Sequence, residues 1–360
     1  MSLNKEIESA RLKIHTDSYP MSIGELANLY DDNELDINPE FQRLYRWNST
    51  QKSRLIESIF LGIPLPSIFV SQRDDGIWDV VDGLQRIATI LAFMGKLKDN
   101  IDSEKNFFRA EKTKYLPSLG GKTWRELEPE LQRIFKREKV DIKIIKRESE
   151  PNAKFELFQR LNTGGSGLTD QEIRNCLLIM VNKKAFNYIK GLSRNSDFLA
   201  TMPISDKQSE EALYEEYVVR YFIQLHPDIS LRKSHDNIGP YFDEEVVRLF
   251  NTEFQYEDEQ KLFEQTFQII NQSLGEDAFK KFHSKEEKYK GPVSTPMFEV
   301  LTIIIANKIR SGETVTPDNV MDFSKKASNE VNAIPSTTRP ISKMDKTLNI
   351  AKKLLNNGQN

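Results

Sequence analysis

A single cysteine, Cys176, leaves no partner for an internal disulfide, so a disulfide-stapled fold is excluded and a reducing cytoplasm is the expected setting. Four scattered histidines beside that one cysteine argue against a structural zinc site. Long apolar runs are also missing. The longest, Val300 to Ala306, is interrupted by Thr302 and falls far short of the roughly 20 residues that span a bilayer, so no membrane partner is expected. Met1 to His15 alternates charged and small residues and has no apolar signal core. Neither sign of charge dominates: 51 Lys and Arg against 54 Asp and Glu leave a net charge of −3, and no global field draws the chain to nucleic acid. What is present is 360 residues of ordinary globular composition, 38% hydrophobic and 29% charged, enough for two domains or one large one.

One stretch organises the rest: Trp78-Asp79-Val80-Val81-Asp82-Gly83-Leu84-Gln85-Arg86-Ile87-Ala88-Thr89. Val80-Val81 reads as a short buried strand, Asp82-Gly83 as a turn, and Leu84, Ile87, Leu91 and Met94 as one face of a helix stopped at Gly95. A strand feeding a helix through a glycine leaves unpaired N–H groups at the positive end of the helix dipole, which suits an anion. Asp82-x-x-Gln85 also fits a capping box, which would explain both residues without a ligand. Arg86 has no such explanation, because a cation in the first helical turn opposes the dipole unless an anion sits there.

Upstream, Ser22 to Glu25 reads as a capping box for a short helix, and Leu35 to Pro39 as extended chain. Ser49 or Thr50 is expected to cap a helix bearing Leu55, Ile56, Ile59 and Phe60. Ile68 to Val70 and Ile77 to Val81 flank Asp74-Asp75-Gly76 as a hairpin. Leu97 to Gly121 reads as an irregular excursion with a small hairpin. Thr123 to Glu126 reads as the cap of a helix with Leu127, Leu131, Ile134 and Phe135, and Val140 to Ile144 as a half-buried strand. Pro151 opens a helix that ends in the glycine-rich segment Arg160 to Gly167, and Thr169 to Glu172 caps the next. From about Asn182 the pattern is helical, with no convincing strand. Within this frame three polar segments each hold a Gln-Arg pair: Gln42-Arg43 among Phe41, Tyr45 and Trp47; Gln85-Arg86; and Gln159-Arg160 beside Gly164, Gly165 and Gly167. Together they suggest one shared anionic ligand. A basic cluster that includes Lys136, Arg137, Lys143 and Lys146 could face DNA, and a solvated helix and strand face explains it equally well.

Taken together, the segments resemble the ParB/sulfiredoxin-like superfamily, in the branch of domain-of-unknown-function family 262 that includes the N-terminal domain of GmrSD-type restriction and phage-defence proteins. The residues that carry the resemblance are Phe41-Gln42-Arg43-Leu44-Tyr45-Arg46-Trp47, Ile63-Pro64-Leu65-Pro66, Asp82-Gly83-Leu84-Gln85-Arg86-Ile87-Ala88-Thr89, and Arg160-Leu161-Asn162-Thr163-Gly164-Gly165-Ser166-Gly167-Leu168 with Glu172 and Arg174. Leu84 replaces a glutamine of the pattern, and Ala88 a threonine. The resemblance implies an α+β fold: an extension over 1–21, a ParB-like domain over 22–182 with a small mixed sheet and helices, and an all-helical half over 183–360. It implies binding and hydrolysis of a nucleoside triphosphate with Mg2+, coupled to DNA or a partner effector protein in anti-phage defence. Gln42, Asp82 and Gln85 are the expected catalytic residues. Arg43, Gly83, Arg86, Thr89, Arg160, Asn162, Gly164 and Gly165 are the expected phosphate-binding ones. Two other readings stay open: a non-catalytic DNA-binding or regulatory module, and a DNA-nicking nuclease. Against the nuclease, His226-Pro227-Asp228 has no companion His and Asn at nuclease spacing.

Overall fold

The computed structural model describes residues 3–4, 7, 15–37, 47–98, 108–149, 169–251 and 253–356. The chain divides into two compact units, Met1–Gly167 and Leu168–Asn360. The first is built on a five-stranded mixed sheet with helices, and the second is mostly helical.

In the first unit the elements run β1 (Thr16–Ser22), α1 (Ile23–Asp31), β2 (Leu35–Asp36), α2 (Ser49–Phe60), β3 (Ile68–Gln72), β4 (Trp78–Asp82), α3 (Leu84–Met94), α4 (Pro129–Arg137) and β5 (Lys139–Ile145). The sheet order is β1-β5-β3-β4-β2. β1 with β5 and β3 with β4 are antiparallel, while β5 with β3 and β4 with β2 are parallel. Alternation explains which face is buried: Val140 and Ile142 point into the core while Lys139, Asp141 and Lys143 point away. The expected hairpin forms, with Gly76 at φ +88° and the Asp75 side chain accepting the Ile77 N–H at 3.1 Å. Helix α3 is buried along most of its length and closes on an aromatic cluster, with Phe93 at 5.6 Å from Phe135 and 5.8 Å from Trp124.

Two local expectations are corrected. The α2 cap is Asn48, in a reciprocal box with Gln51, rather than Ser49 or Thr50. Thr123 and Glu126 do form their box, but over one 3-10 turn; the helix begins later, at Pro129, where proline supplies a ready N1 residue. Of the excursion expected over Leu97 to Gly121, 99–107 lie outside the described residues, and 108–121 form a loop without a strand. This loop is fastened to α2 by two buried side chains: Ser53 accepts the Glu111 N–H at 2.8 Å, and Glu57 accepts those of Tyr115 and Leu116 at 2.7 and 2.9 Å.

The second unit comprises α5 (Asp170–Val181), α6 (Lys183–Leu192), α7 (Ser196–Thr201), α8 (Asp206–Glu210), α9 (Leu213–Leu225), α10 (Ile229–Lys233), α11 (Ile238–Asn251), α12 (Tyr256–Leu274), β6 (Lys281–His283), β7 (Lys288–Lys290), α13 (Thr295–Arg310), α14 (Pro317–Asn332) and α15 (Pro340–Asn356). Met297 to Ala306 of α13 is buried without interruption, as expected for a helix surrounded by others; it packs against α9, α12, α14 and α15. Buried arginines are paired within this unit: Arg174 with Asp243 at 2.9 Å, Arg220 with Glu299 at 2.7 Å, and Arg232 with Asp345 at 3.1 Å. The sequence pattern had pointed to helices alone here, and the short hairpin β6–β7 is the addition.

Candidate functional site

Strand β4 delivers the chain into the Asp82-Gly83 turn through a bulge. Val80 pairs with Val70 and Asp82 with Phe69, so Val81 is an extra residue with no partner of its own in β3. Gly83 then takes φ +98°, and a Cβ there would lie 2.9 Å from Cγ1 of Ile68, so glycine is required by both backbone and packing. The first intrahelical bond of α3 runs from the Ile87 N–H to the Gly83 carbonyl at 2.9 Å. The turn thus puts the start of a helix at the end of a central strand, as the sequence implies.

The side chains differ from expectation. Asp82 and Gln85 do not form a capping box: the N-cap is Gly83, and no side chain caps the helix. Gln85 Oε1 instead accepts the Trp47 N–H at 3.2 Å, which brings the end of the first polar segment onto the second. Asp82 accepts from Arg86 Nη2 at 3.0 Å. Arg86 also donates through Nη1 to the carbonyls of Pro66 and Ser67, the latter at 3.2 Å. Its side chain is only 11% exposed; burial pulls its pKa below the ordinary guanidinium value, and Asp82 partly offsets this. Arg86 therefore does have a structural role, contrary to the sequence argument: it ties the first turn of α3 to the Ile63–Pro66 segment. That role was invisible because its acceptors are backbone carbonyls 19 and 20 residues away.

The remaining expected residues fall in several places. Thr89 is fully buried one turn into α3, with its hydroxyl donating to the Gln85 carbonyl at 2.6 Å. Leu84 packs against the core and Ala88 is fully buried, so the two departures from the family pattern are positions that serve packing here. Gln42, Arg43, Arg160, Asn162, Gly164 and Gly165 lie outside the described residues, as does the helix expected from Pro151. Of the proposed DNA face, Lys143 pairs with Asp141 at 3.2 Å and donates to Ser18 at 2.8 Å, and Lys146 pairs with Asp17 at 3.2 Å. Lys136 lies over Trp124, and Arg137 is exposed at the end of α4. Asp141 also accepts from the Ser67 hydroxyl at 2.6 Å, which, with Ser18 and Lys143, holds its carboxyl below the usual range against the effect of burial. Ser67 thus stands between Asp141 and Arg86.

One polar group beside the turn was missed. Arg73 bridges Asp79 and Asp36, which face each other across the parallel pair β4–β2. Asp79 is 2% exposed, and its hydrogen bonds hold the Arg73 pKa above the ordinary value. The arginine neutralises two carboxylates that would otherwise repel across the sheet. Arg73 directly precedes the Asp74-Asp75-Gly76 turn, and nothing local in the sequence indicates its partners.

The arrangement defines an α+β domain whose central strand ends in a glycine turn under a helix N-terminus, with a carboxylate–arginine pair at the first turn. Residues 23–179 match the family described as GmrSD restriction endonuclease, N-terminal domain, the family whose motifs the sequence resembles. The last stretch of the match, 168–179, lies in the second compact unit. No curated protein and no solved structure matches the chain.

Proposed function

We propose that the Asp82–Arg86 turn binds the phosphates of a nucleoside triphosphate, and that the domain hydrolyses it to drive an anti-phage response through DNA or a partner effector protein. The observation that carries this reading is the bond from Trp47 to Gln85: the Phe41–Trp47 segment, with Gln42 and Arg43, ends beside the glycine turn. In this reading the Gly83 turn and the first N–H groups of α3 cradle phosphate, and Arg43 neutralises it. Gln42 and Gln85 orient phosphate and the attacking water, and Arg160, Asn162, Gly164 and Gly165 close the pocket.

Among the described residues no group of three or more potential metal ligands exists. Asp82 is a single carboxylate, 34% exposed, at the turn. That suits a magnesium ion that arrives with the triphosphate and takes one protein carboxylate, rather than a resident metal. When bound, such an ion supplies charge neutralisation on the phosphates. Hydrolysis would then rest on positioning and charge.

The test is a melting-temperature series with each of the four nucleoside triphosphates and Mg2+, on wild type, Arg43→Ala and Asp82→Asn. At a ligand concentration of about 100 Kd, binding to the folded state alone adds roughly 2.7 kcal/mol, a rise that is readily measured. Both variants should lose most of it. No rise with any triphosphate would end the nucleotide reading, and an undiminished rise in both variants would move the site elsewhere. A second reading, binding without turnover, is favoured by the Arg86 guanidinium being engaged by Asp82 and two carbonyls. Phosphate release separates the two, and release without DNA cleavage excludes the nicking nuclease.

A further inference from the structure

The β6–β7 hairpin has two unlike faces. Its register sets Lys281 opposite Lys290, Phe282 opposite Tyr289, and His283 opposite Lys288. Because side chains alternate along a strand, Phe282 and Tyr289 share one face and the four basic residues share the other. The hairpin is tied to α14 along the outer edge of β6, where the Phe282 N–H donates to the Ser328 hydroxyl at 2.9 Å and that hydroxyl donates back to the Phe282 carbonyl at 3.2 Å, and on its aromatic face, where Lys325 lies over the Phe282 ring. The ring pair itself is in contact, with centroids 5.1 Å apart. The opposite face therefore carries three lysines, Lys281 directly opposite Lys290 and Lys288 opposite His283, with a further lysine, Lys285, exposed in the turn.

Like charges directly opposite one another destabilise a sheet. One acid relieves part of the repulsion: Glu286 pairs with Lys288 at 3.1 Å and with Lys290. Even so, Lys288 and Lys290 remain 56% and 40% exposed, and no ion pair engages Lys281 among the described residues. In a chain with a net charge of −3, the segment 280–290 carries five lysines against two glutamates. The contacts that anchor the hairpin to α14 run through Phe282 and need none of Lys281, Lys288 and Lys290.

We propose that the basic face of the β6–β7 hairpin, carried by Lys281, Lys288 and Lys290, is a contact surface for the phosphate backbone of double-stranded nucleic acid. A two-stranded ribbon is one of the two elements that fit a major groove. Lys288 and Lys290, alternate residues of β7, stand about 6.8 Å apart with Lys281 across the ribbon, and a duplex strand carries one phosphate per roughly 3.4 Å of its axis, so each lysine can reach a phosphate of its own. The turn residues Glu286 and Glu287 and the absence of an exposed apolar side chain at the tip make a membrane surface the poorer fit. The contacts are to backbone, so binding is insensitive to sequence. This proposal is independent of the nucleotide site and applies in the absence of triphosphate.

The experiment is fluorescence-anisotropy binding of the full chain to a mixed-sequence DNA duplex of about 20 base pairs, roughly two helical turns. It is run from about 50 to 200 mM salt, without nucleotide. Replacing Lys281, Lys288 and Lys290 together by glutamine should weaken binding roughly tenfold or more and reduce the slope of log K against log salt by about 3. Its melting temperature should stay level or rise, because like charges are relieved. Glu286→Gln should tighten binding a few-fold, a gain that misfolding cannot produce. An unchanged salt slope in the triple variant, no gain with Glu286→Gln, or poly-glutamate competing as well as duplex at equal charge would each overturn the proposal.

Discussion

The two units place their buried charge differently. In the first, the described buried charged groups are few, and each serves to hold chain segments: Glu57 grips the 108–116 loop by its N–H groups, and Asp79 holds Arg73 across a strand pair. In the second, two whole ion pairs sit inside the helical packing, Arg174 with Asp243 and Arg220 with Glu299, while buried Arg232 reaches out to the half-exposed Asp345. The contrast follows from the elements. A sheet fixes its own register through backbone bonds, so polar side chains are needed only where loops and edges must be held. Helices offer few backbone bonds to one another, so registry among α5, α9, α11 and α13 falls to side chains, and a buried pair rejects packings that leave either member alone.

That contrast can be broken most directly at Glu299, whose carboxylate meets Arg220 at 2.7 Å and the Thr347 hydroxyl at 2.6 Å. Glu299→Ala leaves Arg220 short of a partner inside the bundle and should cost about 3–5 kcal/mol in denaturant unfolding. If the pair serves specificity more than stability, Arg220→Leu with Glu299→Leu should cost clearly less than Glu299→Ala alone. A double variant as unstable as the single would show that the charges are needed for stability itself. In the first unit the corresponding sensitive point is backbone: Gly83→Ala meets both the positive φ and Ile68, and should cost about 1–3 kcal/mol by the same measurement. The smallest effect is at Glu57. Burial pushes its pKa up, but the hydroxyl of Thr113, the N–H groups of Tyr115 and Leu116, and Arg54 outweigh that and leave it lowered. A lowered carboxylate contributes stability that is present above its unfolded value, near 4.5, and is lost as pH falls through the folded value. The melting temperature of Glu57→Gln should therefore lie below wild type at neutral pH and converge with it as the pH falls through the lowered folded value. Parallel curves would remove the carboxylate from the account of this loop.

Signals that act within a few residues were readable in advance, and those that depend on distant partners were not. Asp74-Asp75-Gly76 and Gly95 announced a hairpin and a helix stop because the geometry they need is local. The strand–turn–helix around Gly83 was legible for the same reason. Its side-chain chemistry was not: a capping box was assigned to Asp82 and Gln85, but Gly83 itself occupies the cap, which frees Asp82 for Arg86 and Gln85 for Trp47. Arg86 was read as lacking a structural role because its carbonyl partners come from the Pro66–Ser67 segment. The β6–β7 hairpin escaped notice because each strand has three residues, too few for alternation to stand out from a run of lysines.

The unpaired Val81 carries a consequence that no substitution reveals. Val80 shares its inward face with Val70, and in an even-numbered strand Asp82, two places on, would point the same way, into the apolar interior. The added residue changes the parity, so Asp82 lies opposite Phe69 and comes out on the side where Arg86 and the turn await it. The position of this acid is thus encoded by a count as much as by a residue type. A chain one residue shorter at this point could keep Asp-Gly-Leu-Gln-Arg letter for letter and still bring its carboxylate to the wrong side of the sheet.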